Sequence, residues 1–338
     1  MNRMYKKNFL RIIDFNKVDI NKLLDLAQKL KVKKKKNDEK KYLRGKNIVL
    51  IFEKESTRTR CAIEIAAFNQ GANTTYLESK NSHIGYKESI KDTSRTLTSI
   101  YDGIFFRGID HSNVDELASF SYVPVWNGLT KQHHPTQILA DMLTIKEDLH
   151  NFKSLSDIKL AYIGDSSNNI SNSLIEMSLL YQFDFRVISP KKYLKKTMKE
   201  NKHIDDLIKK SKNILFTDNI DLGLKNVDYV YTDVWLSMGD DNDKWTKTID
   251  CLYEYQVNEK LLTLTNNKNV KVLHCLPALH DKKTVLSRSI YSSYNLNNGI
   301  EITNDVFEKN KEIIFRQSEN KLHTIKSLLI LSLIKTIN

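Results

Sequence analysis

"NIVLIFEKESTRTRCAIEIAAFNQG", residues 47 to 71, changes its periodicity halfway. The unbroken apolar run Ile48 to Phe52 fits a strand buried on both faces. From about Thr57 the apolar positions recur at helical spacing up to Gly71, and glycine suits the left-handed position that closes a helix. A strand passing into a helix through a short turn is the building unit of an α/β fold. The turn here has a distinctive content. Ser56-Thr57-Arg58-Thr59-Arg60 places hydroxyls and guanidinium groups at a helix start, where backbone N–H groups and the helix dipole already favour an anion. Arginine adds a planar fork that matches phosphate, so the stretch reads as a phosphate cradle without P-loop glycines. A capped, solvated helix start is the plain alternative.

The same alternation extends outward. Ile20, Leu23, Leu24, Ala27 and Leu30 predict a first helix, with Asp19 as its N-cap. Strands are predicted at 73–78, 103–106 and 122–126. Helices are predicted at 87–100, at "SNVDELASF" with a capping box of Ser112 and Asp115, and from Pro135, where proline fits the first turn. A second block offers strands at 158–164, 183–189, 213–217, 227–235 and 269–276, and a closing helix from about Glu319. Two blocks of alternation predict two doubly wound α/β domains, each a central parallel sheet flanked by helices. The segment 151–157, "NFKSLSD", is the best boundary, giving domains 1–150 and 151–318.

Composition narrows the function classes. A chain of 338 residues suits two domains, and 28% charged residues is the profile of a globular protein. No apolar run approaches the ~20 residues of a membrane span, and no membrane partner is expected. The N-terminus has no signal-peptide core and does not read as a transit peptide, so the expected place is the cytoplasm. Cys61, Cys251 and Cys275 form no CxxC pair, which agrees with a reducing compartment. No ligand spacing suggests a metal, and no cofactor is expected. The net charge of +12 is read as lysine on solvated helix faces, with "KVKKKK" at 31–36 ending the first helix. No nucleic-acid motif accompanies the charge, so no nucleic-acid partner is expected.

In open parallel sheets, ligands bind beyond the carboxyl ends of the strands. The third strand exits at Arg107, and the fourth leads through Asn127-Gly128 to "HHPTQ", 133–137. Arg, His, Thr and Gln are donors that polarise a carbonyl oxygen, and such preorganised donors carry much of catalysis. A lone histidine near a helix start is more often structural, but three donor-rich exits in one sheet weigh against that. In the second block, "IGDSSNN", "YTDVWLSMGDD" and "HCLPALHD" follow strands. Asp233 suits an ammonium group, and the amides and hydroxyls near Asn169 and Ser237 suit a carboxylate. Together they describe an amino acid. Cys275, flanked by apolar residues, reads by itself as a buried inert thiol. A phosphate cradle beside an amino-acid site points to group transfer from an acyl phosphate.

These motifs resemble the ornithine carbamoyltransferases. "FEKESTRTR", "SHIGYKESIKDT", "FRG", "PVWNGL", "HPTQ", "GDSSNN", "YTDVWLSMG", "YQVN", "HCLPALHD" and "ENKLHTIK" occur in that family's order, from about Lys7 to the last helix. "STRTR" and "HPTQ" are shared with the aspartate carbamoyltransferases, whereas "DVWLSMG" and "HCLP" favour ornithine. The resemblance implies that carbamoyl phosphate and L-ornithine give citrulline and phosphate, in either direction. It places carbamoyl phosphate on Ser56, Thr57, Arg58, Thr59, His83, Arg107, His134, Gln137, Cys275, Leu276 and Lys321. It places ornithine on Asn169, Asp233, Ser237 and Met238. Arg107, His134 and Cys275 would act at the reacting centre, Cys275 as a positioning group and not a nucleophile. It also implies that helix 319–338 packs back on the first domain, that the domains close on the substrates, and that the protein is a homotrimer or an assembly of trimers with interfacial active sites.

Two positions depart from the family. His83 stands in the "SxIG" loop where glutamine is usual, and Lys321 stands where "ENRxHTIK" has arginine. Lysine is a compact point charge without the bidentate fork. Both changes touch the carbamoyl phosphate side. They leave room for a catalytically impaired partner subunit, and a putrescine carbamoyltransferase is the other alternative. The "SMG" loop, suited to an amino acid, argues against putrescine.

Overall fold

The computed structural model describes residues 2–78, 84, 87–149, 154–200, 206, 208–209, 211–236, 242–294, 296 and 298–336. The chain divides into two compact units, Met1–Ile145 with Ser318–Asn338, and Lys146–Gln317. The divisions fall inside two helices, after Ile145 and after Gln317, and the segment 151–157 lies partly outside the described residues.

The first unit contains α1 (Lys17–Lys35), β1 (Asn47–Phe52), α2 (Thr57–Gln70), β2 (Asn73–Glu78), α3 (Ile90–Ile100), β3 (Gly103–Arg107), α4 (His111–Ser119), β4 (Val125–Leu129) and most of α5 (Pro135–Asp148). Its parallel sheet has the order β2-β1-β3-β4. Val49, Ile51, Ile104, Phe106 and Val125 share one face and pack with Leu97, Val114 and Leu117 of α3 and α4. The alternate residues Ile48, Leu50, Phe105 and Trp126 are also buried, which is why β1 reads as a continuous apolar run. The strand order reverses between β1 and β3, whose ends pair Phe52 with Arg107. That switch point is where a doubly wound sheet opens a crevice.

The second unit contains β5 (Lys159–Ile163), α6 (Asn169–Tyr181), β6 (Asp184–Ile188), α7 (Lys191–Glu200), β7 (Ile214–Thr217), α8 (Ile220–Leu224), β8 (Tyr229–Thr232), α9 (Asn242–Leu252), α10 (Glu259–Thr263), β9 (Lys271–His274), α11 (Val285–Tyr294) and the start of α12 (Asn304–Leu333). The order is β7-β6-β5-β8-β9, all parallel, and it reverses between β5 and β8. Thr232 Oγ1 donates to the Ile163 carbonyl at 2.9 Å and ties the two strand ends together.

Several local expectations need correction. The α1 cap is Asn16, which accepts from the Asp19 amide at 2.9 Å, so Asp19 lies in the first turn. Helix α4 starts at His111 after Asp110, with no side-chain cap, and Ser112 lies inside it. Strand β4 starts three residues later than predicted, because Pro124 has no N–H for the ladder. Asn127 and Gly128 therefore belong to the strand. Helix α12 is 30 residues long and begins at Asn304, well before Glu319. Its first half was hidden by buried polar residues. Asn310 and Gln317 accept from the backbone amides of Val272 and His274 at 2.9 and 3.0 Å, satisfying the outer edge of β9. Its second half joins the first unit, where Ser327 Oγ donates to the Leu23 carbonyl at 2.7 Å and Trp126 Nε1 donates to Ser332 Oγ at 3.0 Å.

The lysines are not all solvated. Lys31 is buried against Asn320 and Glu319 at 2.7 and 3.0 Å, and Lys326 is buried against Glu39 at 2.6 Å.

Candidate functional site

In the first unit, the site is built where β1 and β3 end. Ser56 is the N-cap of α2, its hydroxyl oxygen accepting from the Thr59 amide at 3.3 Å. A hydroxyl that accepts in this way keeps its own hydrogen for another partner. Thr57 is exposed, Arg58 is half-buried and Thr59 is buried, so the turn is neither wholly solvated nor wholly packed away. At the far end Gly71 holds φ 82°, the left-handed C-cap that only glycine adopts without cost. Arg107 ends β3. The next residue, Gly108, has no room for a side chain. A Cβ there would lie 2.4 Å from the Phe106 ring and 2.5 Å from Glu53 Oε2.

His134 precedes α5, and Gln137 lies in its first turn, both buried. Lys321 enters from α12, also buried. Its ammonium lies 3.1 Å from Thr59 Oγ1, 3.1 Å from Gln137 Oε1 and 3.4 Å from His134 Nε2. Burial, then the charges of Lys321 and Arg107, hold His134 well below the usual imidazole range. The fold thus collects five of the predicted residues, Thr59, Arg107, His134, Gln137 and Lys321, into one basic cluster with a neutral imidazole. Asp141, which supports it, carried no recognisable signal of its own. Asp141 Oδ1 receives Gln137 Nε2 at 2.8 Å.

In the second unit, the site forms where β5, β8 and β9 end. Cys275 Sγ donates to Asp233 Oδ1 at 2.9 Å, and the Val234 amide donates to the same oxygen at 2.8 Å. Burial raises the Asp233 pKa above the usual carboxylate range, and His274, the thiol and the Val234 amide oppose it. An arriving ammonium group would oppose it further. Cys275 is only partly buried and is hydrogen-bonded, which corrects its reading as a buried inert thiol. Leu276 sits at φ 59°, an unusual conformation for a branched residue, with its amide donating to His274 Nδ1 at 2.9 Å. The Leu276–Pro277 peptide is cis.

Sequence reasoning missed Asn168. Its oxygen caps α6 by accepting from the Ser171 amide at 2.9 Å, and its NH2 donates to the Tyr162 hydroxyl at 2.6 Å and to Asp233 Oδ2 at 3.4 Å. The predicted Asn169 is the first residue of the helix, half-buried beside it. An asparagine before an apolar helical run is a cap signal that pointed to Asn168. The fold also gathers ligand-type atoms of Asp233, His274 and Cys275 within 4.8 Å, which spacing along the chain did not suggest. His274 Nδ1 accepts from the Leu276 amide, and its buried Nε2 lies 3.3 Å from Glu301 Oε1 without a hydrogen bond. The predicted His83, Ser237 and Met238 lie outside the described residues.

Comparisons with known proteins agree along the chain. Residues 7–147 match the model of the aspartate/ornithine carbamoyltransferase carbamoyl-P binding domain, and residues 156–332 match that of the Asp/Orn binding domain. Ornithine carbamoyltransferase of Buchnera aphidicola subsp. Acyrthosiphon pisum (strain APS) is 51% identical, covering 100% of this chain and 99% of the relative. That of Blochmanniella floridana is 48% identical, covering 99% and 96%. Among solved structures, the ornithine carbamoyltransferase from Pyrococcus furiosus superposes with a TM-score of 0.84 at 29% identity, covering 99% of both chains. The anabolic enzyme from Campylobacter jejuni gives 0.78 at 33% identity, covering 96% of this chain and 97% of that one.

Proposed function

We propose a reaction from one premise: the chain belongs to the aspartate/ornithine carbamoyltransferase family. It is a carbamoyltransferase, and its acceptor is L-ornithine. The side-chain amine of ornithine attacks the carbonyl carbon of carbamoyl phosphate. Citrulline forms, the C–O bond to phosphate breaks, and phosphate leaves with the proton that the attacking nitrogen gives up. The observation that carries the chemistry is the buried cluster of Thr59, His134, Gln137 and Lys321 beside the Ser56-capped helix start and Arg107.

Ser56, Thr57, Arg58 and Thr59 hold the phosphate with hydroxyls, helix-start amides and a guanidinium fork. Arg107, His134 and Gln137 hold the carbamoyl group, and Arg107 also reaches phosphate. Positive charge at this end stabilises the phosphate as it leaves. Asp233 pairs with the ornithine ammonium group, and Asn169, Ser237 and Met238 hold the rest of the amino acid. Cys275 and Leu276 line the reacting centre. Cys275 positions and does not attack, since its thiol hydrogen is directed at Asp233. The same groups serve the reverse reaction, phosphorolysis of citrulline.

The protein acts as a homotrimer, or an assembly of trimers. Cys61, Ile65 and Phe68 form one exposed face of α2, with Ile65 and Phe68 45% and 71% exposed, and a partner copy supplies a cover for such a face. Light scattering should give three times the 39.3 kDa chain, or a multiple of that. The cytoplasm, where thiols stay reduced, suits three cysteines that form no disulfide.

The test of the reaction is citrulline formation from carbamoyl phosphate, with ornithine, putrescine and aspartate as competing acceptors. Ornithine alone should support turnover. Equal turnover with putrescine would remove the amino-acid site from the proposal, and no turnover with any acceptor would favour an impaired partner subunit.

A further inference from the structure

The buried Lys321 ammonium determines where hydrogens sit in the first unit. An ammonium donates and never accepts. Thr59 Oγ1, Gln137 Oε1 and His134 Nε2, at 3.1, 3.1 and 3.4 Å, are therefore acceptors. An imidazole nitrogen that accepts carries no hydrogen, so a neutral His134 has its proton on Nδ1. The far side of the ring accommodates the same arrangement without fixing it by itself. Nδ1 faces Thr136 Oγ1 at 3.5 Å, and the Thr136 hydroxyl directs its single hydrogen to the Gly128 carbonyl at 3.3 Å. Thr136 Oγ1 is thus left to accept from Nδ1–H. Neutrality itself follows from burial and from the neighbouring Lys321 and Arg107 charges. The Gln137 amide is oriented by the same logic, oxygen toward Lys321 and NH2 toward Asp141 Oδ1 at 2.8 Å.

We propose that Lys321 is a positioning residue that holds His134 as the neutral Nδ1–H tautomer and turns the oxygens of Gln137 and Thr59 toward its own ammonium. The hydroxyl hydrogen of Thr59 then remains available to an anion, while His134 and Gln137 present acceptors at one point. Lys321 acts through these three side chains, whether or not it also touches phosphate. The consequence for carbamoyl phosphate rests on the function proposed above; the proton positions do not.

The test reads the histidine ring directly. The protein is made with 15N-labelled histidine, and His134→Gln identifies the His134 signals among the nine histidines. Wild type should show a pyridine-type shift at Nε2 and a pyrrole-type shift at Nδ1. Lys321→Met should replace that single pattern with a tautomer mixture or with the Nε2–H form, while Lys321→Arg, which still donates, should retain Nδ1–H. A pyrrole-type shift at Nε2 in wild type overturns the proposal, as does an unchanged His134 spectrum in Lys321→Met. If Lys321→Met does not fold, loss of the Nδ1–H form in Lys321→Arg serves as the overturning result. None of these readings depends on citrulline synthesis, so a failure of the catalytic assignment is separately visible.

Discussion

At the residue scale, the two halves of the site predict different kinetic losses. Arg58 lies half-buried in the first turn of α2, at the helix start proposed to hold phosphate. A charge-assisted hydrogen bond is worth about 1.5–3 kcal/mol. Arg58→Ala should therefore lower kcat/KM for carbamoyl phosphate roughly ten- to a hundredfold, with an unchanged circular dichroism spectrum. Near-wild-type kinetics would reject the cradle. Asp233 belongs to the other unit and accepts from Cys275, Val234 and Asn168. Asp233→Asn keeps the shape but loses the charge that an ammonium needs. It should raise KM for ornithine by a similar factor, while calorimetric binding of carbamoyl phosphate alone stays within about twofold, well under 1 kcal/mol. Equal loss of both ligands would make Asp233 a structural residue.

At the element scale, α2 unites two functions in one side chain. The Ser56 oxygen caps the helix, and its hydrogen is proposed to serve the phosphate. The two roles separate by substitution. Ser56→Ala should cost about 1 kcal/mol of stability through the lost cap and should weaken carbamoyl phosphate as well. Ser56→Asp restores a cap acceptor and a favourable charge at the helix N-terminus, so stability should return. Binding of carbamoyl phosphate should nevertheless fall below that of Ser56→Ala, because the carboxylate repels phosphate. Urea midpoints and ligand titrations of the two variants check the pair. Parallel changes in stability and binding would mean that Ser56 acts only as a cap.

At the scale of the whole molecule, a small part of the +12 charge gathers around one buried histidine. His323 on α12 is buried, and burial together with Lys326, Lys31, Lys34 and Lys35 lowers its pKa to about 3, with Glu39 pairing Lys326 nearby. Folded His323 thus stays neutral in a pH range where the unfolded imidazole, near its ordinary ~6.5, is charged. Above that value both states are neutral and the group has no effect. Below it the unfolded state binds the extra proton, so stability falls from about pH 6.5 down to the folded value near 3. His323→Leu should show a smaller drop in urea midpoint between pH 7 and pH 5 than wild type. Equal drops would show that other groups carry the acid sensitivity.

The α/β class, the start of α2 at Thr57, its close at Gly71 and the donor-rich exits of β1, β3 and β4 were legible along the chain. Each depends on residues within a few positions of one another: alternation or helical spacing of apolar side chains, a cap hydroxyl, a glycine free to adopt positive φ. The same local logic misplaced the start of β4 and hid half of α12, because Pro124 and the buried Asn310 and Gln317 are explained only by the strands they meet. The motifs named Lys321, but nothing local says that its ammonium lies on Thr59, 262 residues earlier, or on His134 and Gln137. Nor does spacing reveal that Asn168 ties its helix cap to Asp233, or that the Cys275 thiol points at that carboxylate. Periodicity and capping are short-range and survive in the bare sequence. The direction of a hydrogen bond and the protonation of a buried ring depend on which distant side chain the fold returns to that spot, and only the tertiary structure decides that.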